Sequence, residues 1–159
     1  MKAKLLIIIN LVMVFFLFML GYIMTTTPGR SSGNGNPAIL LFIPLVILFV
    51  VMLAQWIYVF KDKKISFKTI FIGLLLIMSH FLIGINYQLT SLHNYRNFLA
   101  QVYEEKFGHI DWPYINSITT GVTIHVNNQY FNINTYLLFV SLSICIFLLY
   151  QLVKQILSE

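Results

Sequence analysis

Residues 38–60 read AILLFIPLVILFVVMLAQWIYVF, and the next four are Lys61, Asp62, Lys63 and Lys64. The apolar stretch contains no charge. A helix rises about 1.5 Å per residue and the hydrocarbon core of a bilayer is about 30 Å thick, so roughly 20 such residues cross it. No water is available there to satisfy backbone N–H and C=O groups, which makes the segment helical. Trp56 and Tyr58 stand near its far end, where amphipathic rings prefer the membrane interface. Pro44 lies inside the stretch and predicts a bend, with the carbonyl of Leu40 released.

Three more segments share this character. Upstream, Lys2 and Lys4 precede an apolar run over residues 5–24. It is longer than the core of a secretory leader and ends in Tyr22, Ile23, Met24 and Thr25, without a small-x-small cleavage site. It therefore reads as a retained span, a cleaved leader being the alternative. Downstream, residues 66–87 and 134–152 complete the set. The expected fold is all-α: a single four-span membrane domain over residues 1–159, built as an up-and-down four-helix transmembrane bundle with near-antiparallel helices. Residues 88–133 form its loop subdomain.

Composition supports lipid as the solvent. The chain has 159 residues, 58% hydrophobic and 9% charged, whereas soluble domains carry about 25% charged residues. The net charge of +5 does not read as a nucleic-acid footprint, because the cations flank apolar segments. Lys2, Lys4, Lys61, Lys63, Lys64, Lys68 and Lys154 fall at one end of the expected bundle, and Arg30, Arg96 and Lys106 at the other. Excess Lys and Arg marks the cytoplasmic side, so both termini are expected inside a cell membrane. The single cysteine, Cys145, excludes an internal disulfide and a C-x-x-C pair. Scarce alanine with abundant Ile, Phe, Asn and Lys suggests a bacterial source by association.

The loops divide by composition. Residues 25–37 (TTTPGRSSGNGNP) read as a flexible connection. In the longer loop, Leu92, Tyr95, Leu99 and Val102 recur at helical spacing, opposite Asn94, Arg96, Gln101, Glu104 and Glu105. That pattern predicts a small outer amphipathic helix, following or continuing span three. Gly108 is its expected stop, and Asp111, Trp112, Pro113 and Tyr114 make a turn. Val122 to Val126 and Tyr130 to Ile133 flank Asn127 and Asn128, which predicts a short β-hairpin between helices 3 and 4.

One residue stands out chemically. His80 lies roughly 10 Å inside the far boundary of span three. Ionisable groups at such depth face the protein interior and often mark function. Gly73, Gly84, Tyr87 and Ser91 share its helix face. Two readings stay open: a cofactor-binding or proton site built on His80, or a packing seam in which small residues let helices approach. Ser141, Ser143, Cys145 and the Leu40 carbonyl are candidate neighbours, and Ser141 and Cys145 form a small-xxx-small packing pair. Asn10 and Gln55, near the same ends of their spans, are placed either to bond across helices or to snorkel separately to the interface. His93, His109 and His125 match no metal-ligand spacing, and no catalytic or dinucleotide motif occurs, so neither metal nor cofactor is expected.

These features predict a non-enzymatic accessory, sensing, assembly or immunity component acting through its outer loop. Its expected partners are the lipid bilayer and another membrane or extracytoplasmic protein, with a homo-oligomer allowed. The alternative is a cofactor-, quinone- or lipid-binding enzyme subunit that uses the His80 layer. No span carries a pore-lining polar face and no internal repeat is visible, which disfavours transport.

Overall fold

A computed structural model describes residues 2–30 and 35–157. Its helices are α1 (Lys2–Ile23), α2 (Phe42–Val59), α3 (Phe67–Phe107), α4 (Trp112–Ile118), α5 (Asn127–Tyr130) and α6 (Ile133–Ile156), with 3-10 turns at Pro37–Leu41 and Ile124–Val126. Four of these, α1, α2, α3 and α6, are long and apolar enough to cross a membrane. Together they define a multi-pass membrane protein.

α6 is the hub of the bundle. It packs on α1, α2 and α3, while α1 packs chiefly on α2. Val14 and Phe18 of α1, Leu45 and Met52 of α2, and Phe131 just before α6 form one buried cluster. A second joins Ile70 of α3 to Phe147 and Leu148 of α6, with Trp56 against it. Lipid tails are as apolar as leucine, so burial from lipid gains little. Close packing and interhelical hydrogen bonds hold such helices together. Asn10 Nδ2 donates to the Leu48 carbonyl and to Gln55 Oε1, both at 3.1 Å, which joins α1 to α2. Trp56 Nε1 donates to Ser143 Oγ at 3.2 Å, tying α2 to α6.

Three expectations need correction. The small outer helix is not a separate element. Helix α3 runs unbroken for 41 residues, because no proline or glycine interrupts it between Gly84 and Gly108, where positive φ closes it. It is roughly 60 Å long at 1.5 Å per residue, so its second half stands beyond the bilayer. The turn at Asp111 is instead a short helix: Asp111 Oδ1 accepts from the Tyr114 N–H at 3.0 Å, and Pro113 occupies its first turn.

The β-hairpin is also absent, and no strand occurs among the described residues. A tight two-residue hairpin turn of the primed kind needs positive φ at both central positions (type I′) or at the first (type II′). Among the described residues only glycines adopt positive φ, and Asn127 and Asn128 begin a helical turn. Pro44 falls just after a 3-10 turn passes into α-helix. α2 begins at Phe42, so Pro44 sits in the first turn, where N–H groups lack intrahelical partners anyway. Finally, the described parts of the segment over residues 25–37 are docked rather than loose. The Thr26 N–H donates to the Ile124 carbonyl, Gly29 is buried, and Asn36 caps the turn that follows it. Residues 31–34 lie outside the described residues.

Candidate functional site

The α3–α6 seam begins with glycines that admit the partner helix. A Cβ on Gly84 would stand 2.8 Å from Leu138 Cδ2 and 3.2 Å from Asn134 Oδ1, and one on Gly73 would stand 2.8 Å from Leu148 Cδ1. Between these two contacts, His80 Nδ1 meets Ser141 Oγ at 2.9 Å. Cys145 lies one turn beyond Ser141 on the same face of α6, with a free, half-buried thiol. His80, Ser141, Gly73 and Gly84 thus occupy one interface. The Leu40 carbonyl and Ser143 are elsewhere: Leu40 is exposed, and Ser143 faces Trp56 and Met52 of α2, while its hydroxyl donates to the Val140 carbonyl one turn back on α6.

A layer of neutral amides continues this seam out of the apolar zone. Asn134 Nδ2 donates to the Gly84 carbonyl at 2.9 Å and to Gln88 Oε1 at 3.2 Å. Gln88 Nε2 donates to the Gln129 carbonyl at 2.6 Å, and Ser91 Oγ to Gln129 Oε1 at 3.0 Å. Asn132 caps α6 in a reciprocal box with Thr135. Alongside, Phe131 seats its ring directly on Gly21 of α1, so that a Cβ there would overlap the ring. Neither Gly21 nor this amide layer was legible from helix periodicity, because their partners come from distant segments.

Above the layer, the first connection and the long one close into a cap on the outer half of α3. Asn127 is fully buried and pairs with Asn36, and its Nδ2 also donates to the Met24 carbonyl at 3.2 Å. Tyr95 Oη donates to the His125 carbonyl at 2.8 Å. Burial raises the Tyr95 phenol above its ordinary value, although the Asn128 side chain opposes this. Burial likewise pushes the His125 imidazole down and favours its neutral form. Arg96 Nε donates to Thr119 Oγ1 at 2.8 Å, pinning the end of α4 to α3. Leu99, Ala100 and Tyr103 of α3 bury Ile115 of α4.

At the tip of the cap an open cleft of about 730 Å³ lies between Gly29, Arg30, Lys106, His109 and Asp111 on its polar side and Tyr103, Phe107 and Tyr114 on its aromatic side. Lys106 Nζ donates to the Gly29 carbonyl at 2.6 Å, which binds the first connection to the end of α3. Burial and the neighbouring Tyr114 hydroxyl hold the Tyr103 phenol well above its ordinary range, so it stays neutral. The cleft combines cations with neutral aromatic surface. No group of three or more His, Cys, Asp or Glu side chains converges among the described residues.

The lysines other than Lys106 gather at the opposite end. Lys4 lies in the first turn of α1, Lys61, Lys63 and Lys64 between α2 and α3, Lys68 in the first turn of α3, and Lys154 in the last turns of α6. Lys2 begins α1, but its side chain lies outside the described residues. The chain matches no protein-family model, no curated protein and no solved structure.

Proposed function

We propose that this protein is a non-catalytic membrane component that holds a partner protein through its cap, on the side of a cell membrane away from the lysines. The observation that carries this reading is the tip cleft. It is braced by the first connection, α3 and α4 together, and it offers Arg30, Lys106 and His109 against the single carboxylate of Asp111. Phe98, Phe107, Ile110 and Trp112 are exposed on the same half of α3 and its continuation. Apolar side chains of this size outside lipid gain by being covered, and the charge balance suits an acidic segment of the partner. The lysine-rich end takes the cytoplasmic side by the positive-inside rule.

In-cell photo-crosslinking tests this reading. A crosslinking residue at Trp112 should trap one defined protein adduct, and Arg30→Glu should weaken it severalfold. The same probe at Ile83, within the apolar half of α3, should trap none. A clean monomer with no adduct from any cap position would remove the proposal. A C-terminal tag reached by antibody on intact cells would reverse the assigned orientation.

A second reading rests on His80. Its Nδ1 is taken by Ser141, while Nε2 makes no hydrogen bond among the described residues. That nitrogen is open to a quinone, haem or lipid group within the bilayer. A visible spectrum of the purified protein that changes on His80→Ala would support it. A featureless spectrum and no extractable ligand would dismiss it.

A further inference from the structure

At the lysine end, α2, α3 and α6 leave two hollows that meet along a common wall of Lys63, Lys64, Ile65 and Ser66. The first, about 540 Å³, is polar. Lys61, Lys63, Lys64 and Lys154 line it against one carboxylate, Asp62. The second, about 590 Å³, is apolar and aromatic, with Trp56, Phe60, Ile144, Phe147 and Leu148 in its lining. From these two hollows we infer a binding site for one anionic glycerophospholipid, its phosphate among the lysines and an acyl chain in the aromatic hollow.

Three observations carry the inference beyond diffuse attraction. The order of the hollows matches the molecule. Ile144 lies ten residues before Lys154 on α6, so the apolar hollow extends roughly 15 Å below the charged one along that helix. The shared wall is fixed rather than loose, because Gln155 Nε2 donates to the Ile65 carbonyl at 2.6 Å and clamps the α2–α3 turn to α6. The cations are also held in position: Lys61 Nζ sits 5.0 Å from the Tyr58 ring centroid and Lys63 Nζ 5.2 Å from that of Phe60. Trp56 spends its only donor on Ser143, which leaves the floor to dispersion contacts with hydrocarbon. Lysines near the ends of α2 and α6 also complement helix dipoles and set topology. Neither role requires an apolar cavity joined to the cluster. Basic pockets between membrane helices suit anionic lipid headgroups for these reasons.

The test uses the full chain in neutral detergent, with native mass spectrometry reading retained lipid. Phosphatidylglycerol should remain bound as one molecule per chain, in preference to phosphatidylcholine of equal chain length. Lys63→Gln with Lys64→Gln should weaken retention about tenfold or more. Lys4→Gln with Arg30→Gln removes the same charge elsewhere and should leave retention unchanged. Thr69→Trp, at an exposed position lining the apolar hollow, should displace the lipid while all lysines remain. If the double lysine variant gives no monodisperse protein, Lys154→Gln alone decides, with an expected loss of about fivefold. Equal retention of both lipids, or equal loss in the two charge-matched variants, overturns the site. Inorganic phosphate that displaces phosphatidylglycerol at millimolar concentration would show a free-anion site and overturn the lipid assignment.

Discussion

Asn36 and Asn127, 91 positions apart in the chain, exchange two amide hydrogen bonds of 2.7 and 3.0 Å. Asn36 Nδ2 also donates to the Val122 carbonyl at 2.9 Å, and its Oδ1 accepts from the Ala38 N–H at 3.1 Å. The pair therefore joins the entry to α2 with the exit from the long connection. Truncating Asn127 removes both mutual bonds and the one to the Met24 carbonyl, whereas truncating Asn36 takes the donor from Oδ1 of the fully buried Asn127. Asn127→Ala should destabilise the cap by about 2–3 kcal/mol. Proteolysis of residues 120–131 in detergent should accelerate accordingly. A double variant with Asn36→Ala should cost much less than the sum of the two, and strict additivity would show that the pair is not coupled.

The His80–Ser141 contact is expected to behave as a packing hydrogen bond. A double-mutant cycle with His80→Ala and Ser141→Ala should give a coupling of about 0.6–1.7 kcal/mol, the range found for such bonds within membranes. Unfolding in mixed micelles measures it. Zero coupling would mean that the two side chains act independently.

The glycines should rank by what their new methyl group meets. Gly21→Ala drives a Cβ into the Phe131 ring, which is itself packed edge-on against Phe18 at 5.9 Å. Overpacking of this kind typically costs about 1–3 kcal/mol. Gly84→Ala meets both Leu138 and Asn134, whereas Gly73→Ala meets only a terminal methyl of Leu148. The expected order of destabilisation is Gly21, then Gly84, then Gly73, read from thermal unfolding in one detergent. A Gly73 variant worse than the Gly21 variant would contradict the packing described.

His125 gives the cap a pH dependence of known sign. Burial lowers its pKa below the ordinary 6.5, so near and below that value the unfolded cap binds a proton more readily than the folded one. Stability is then unaffected above the ordinary value and declines as the solution is acidified through it. Protease resistance of the cap should fall between pH 7.5 and 5.5, and His125→Gln should flatten that fall. An unchanged profile in the variant would assign the acid sensitivity to another group.

The four spans were legible because lipid imposes a length and a polarity that few other environments require. The lysine clustering at 61–64 was legible for the same reason. The cap was not. Asn36 sits in a stretch of Gly, Ser and Asn that reads as a linker, and Asn127 sits among β-branched residues that read as a hairpin. Each reading is sound locally. The outcome was decided by pairing the two amides across the fold, and a one-dimensional pattern carries no trace of that. The start of α4 was visible in principle, since Asp111 followed by Pro113 is a helix-opening signal. The His80–Ser141 contact was also within reach of a depth count, whereas Gly21 against Phe131 was not, because Phe131 lies outside any span.

The bonds that close the cap run mostly between neutral amides, hydroxyls and carbonyls. Mobile ions screen charges over a Debye length of about 8 Å at physiological ionic strength, but they scarcely touch a buried amide pair such as Asn36 and Asn127. The cap should therefore keep its shape from dilute medium to brine. The lysine cluster at the other end, whose part in holding an anion is electrostatic, should weaken its grip as electrolyte rises. One molecule would thus hold its cap in shape regardless of ions, while the lipid grip at its other end follows them.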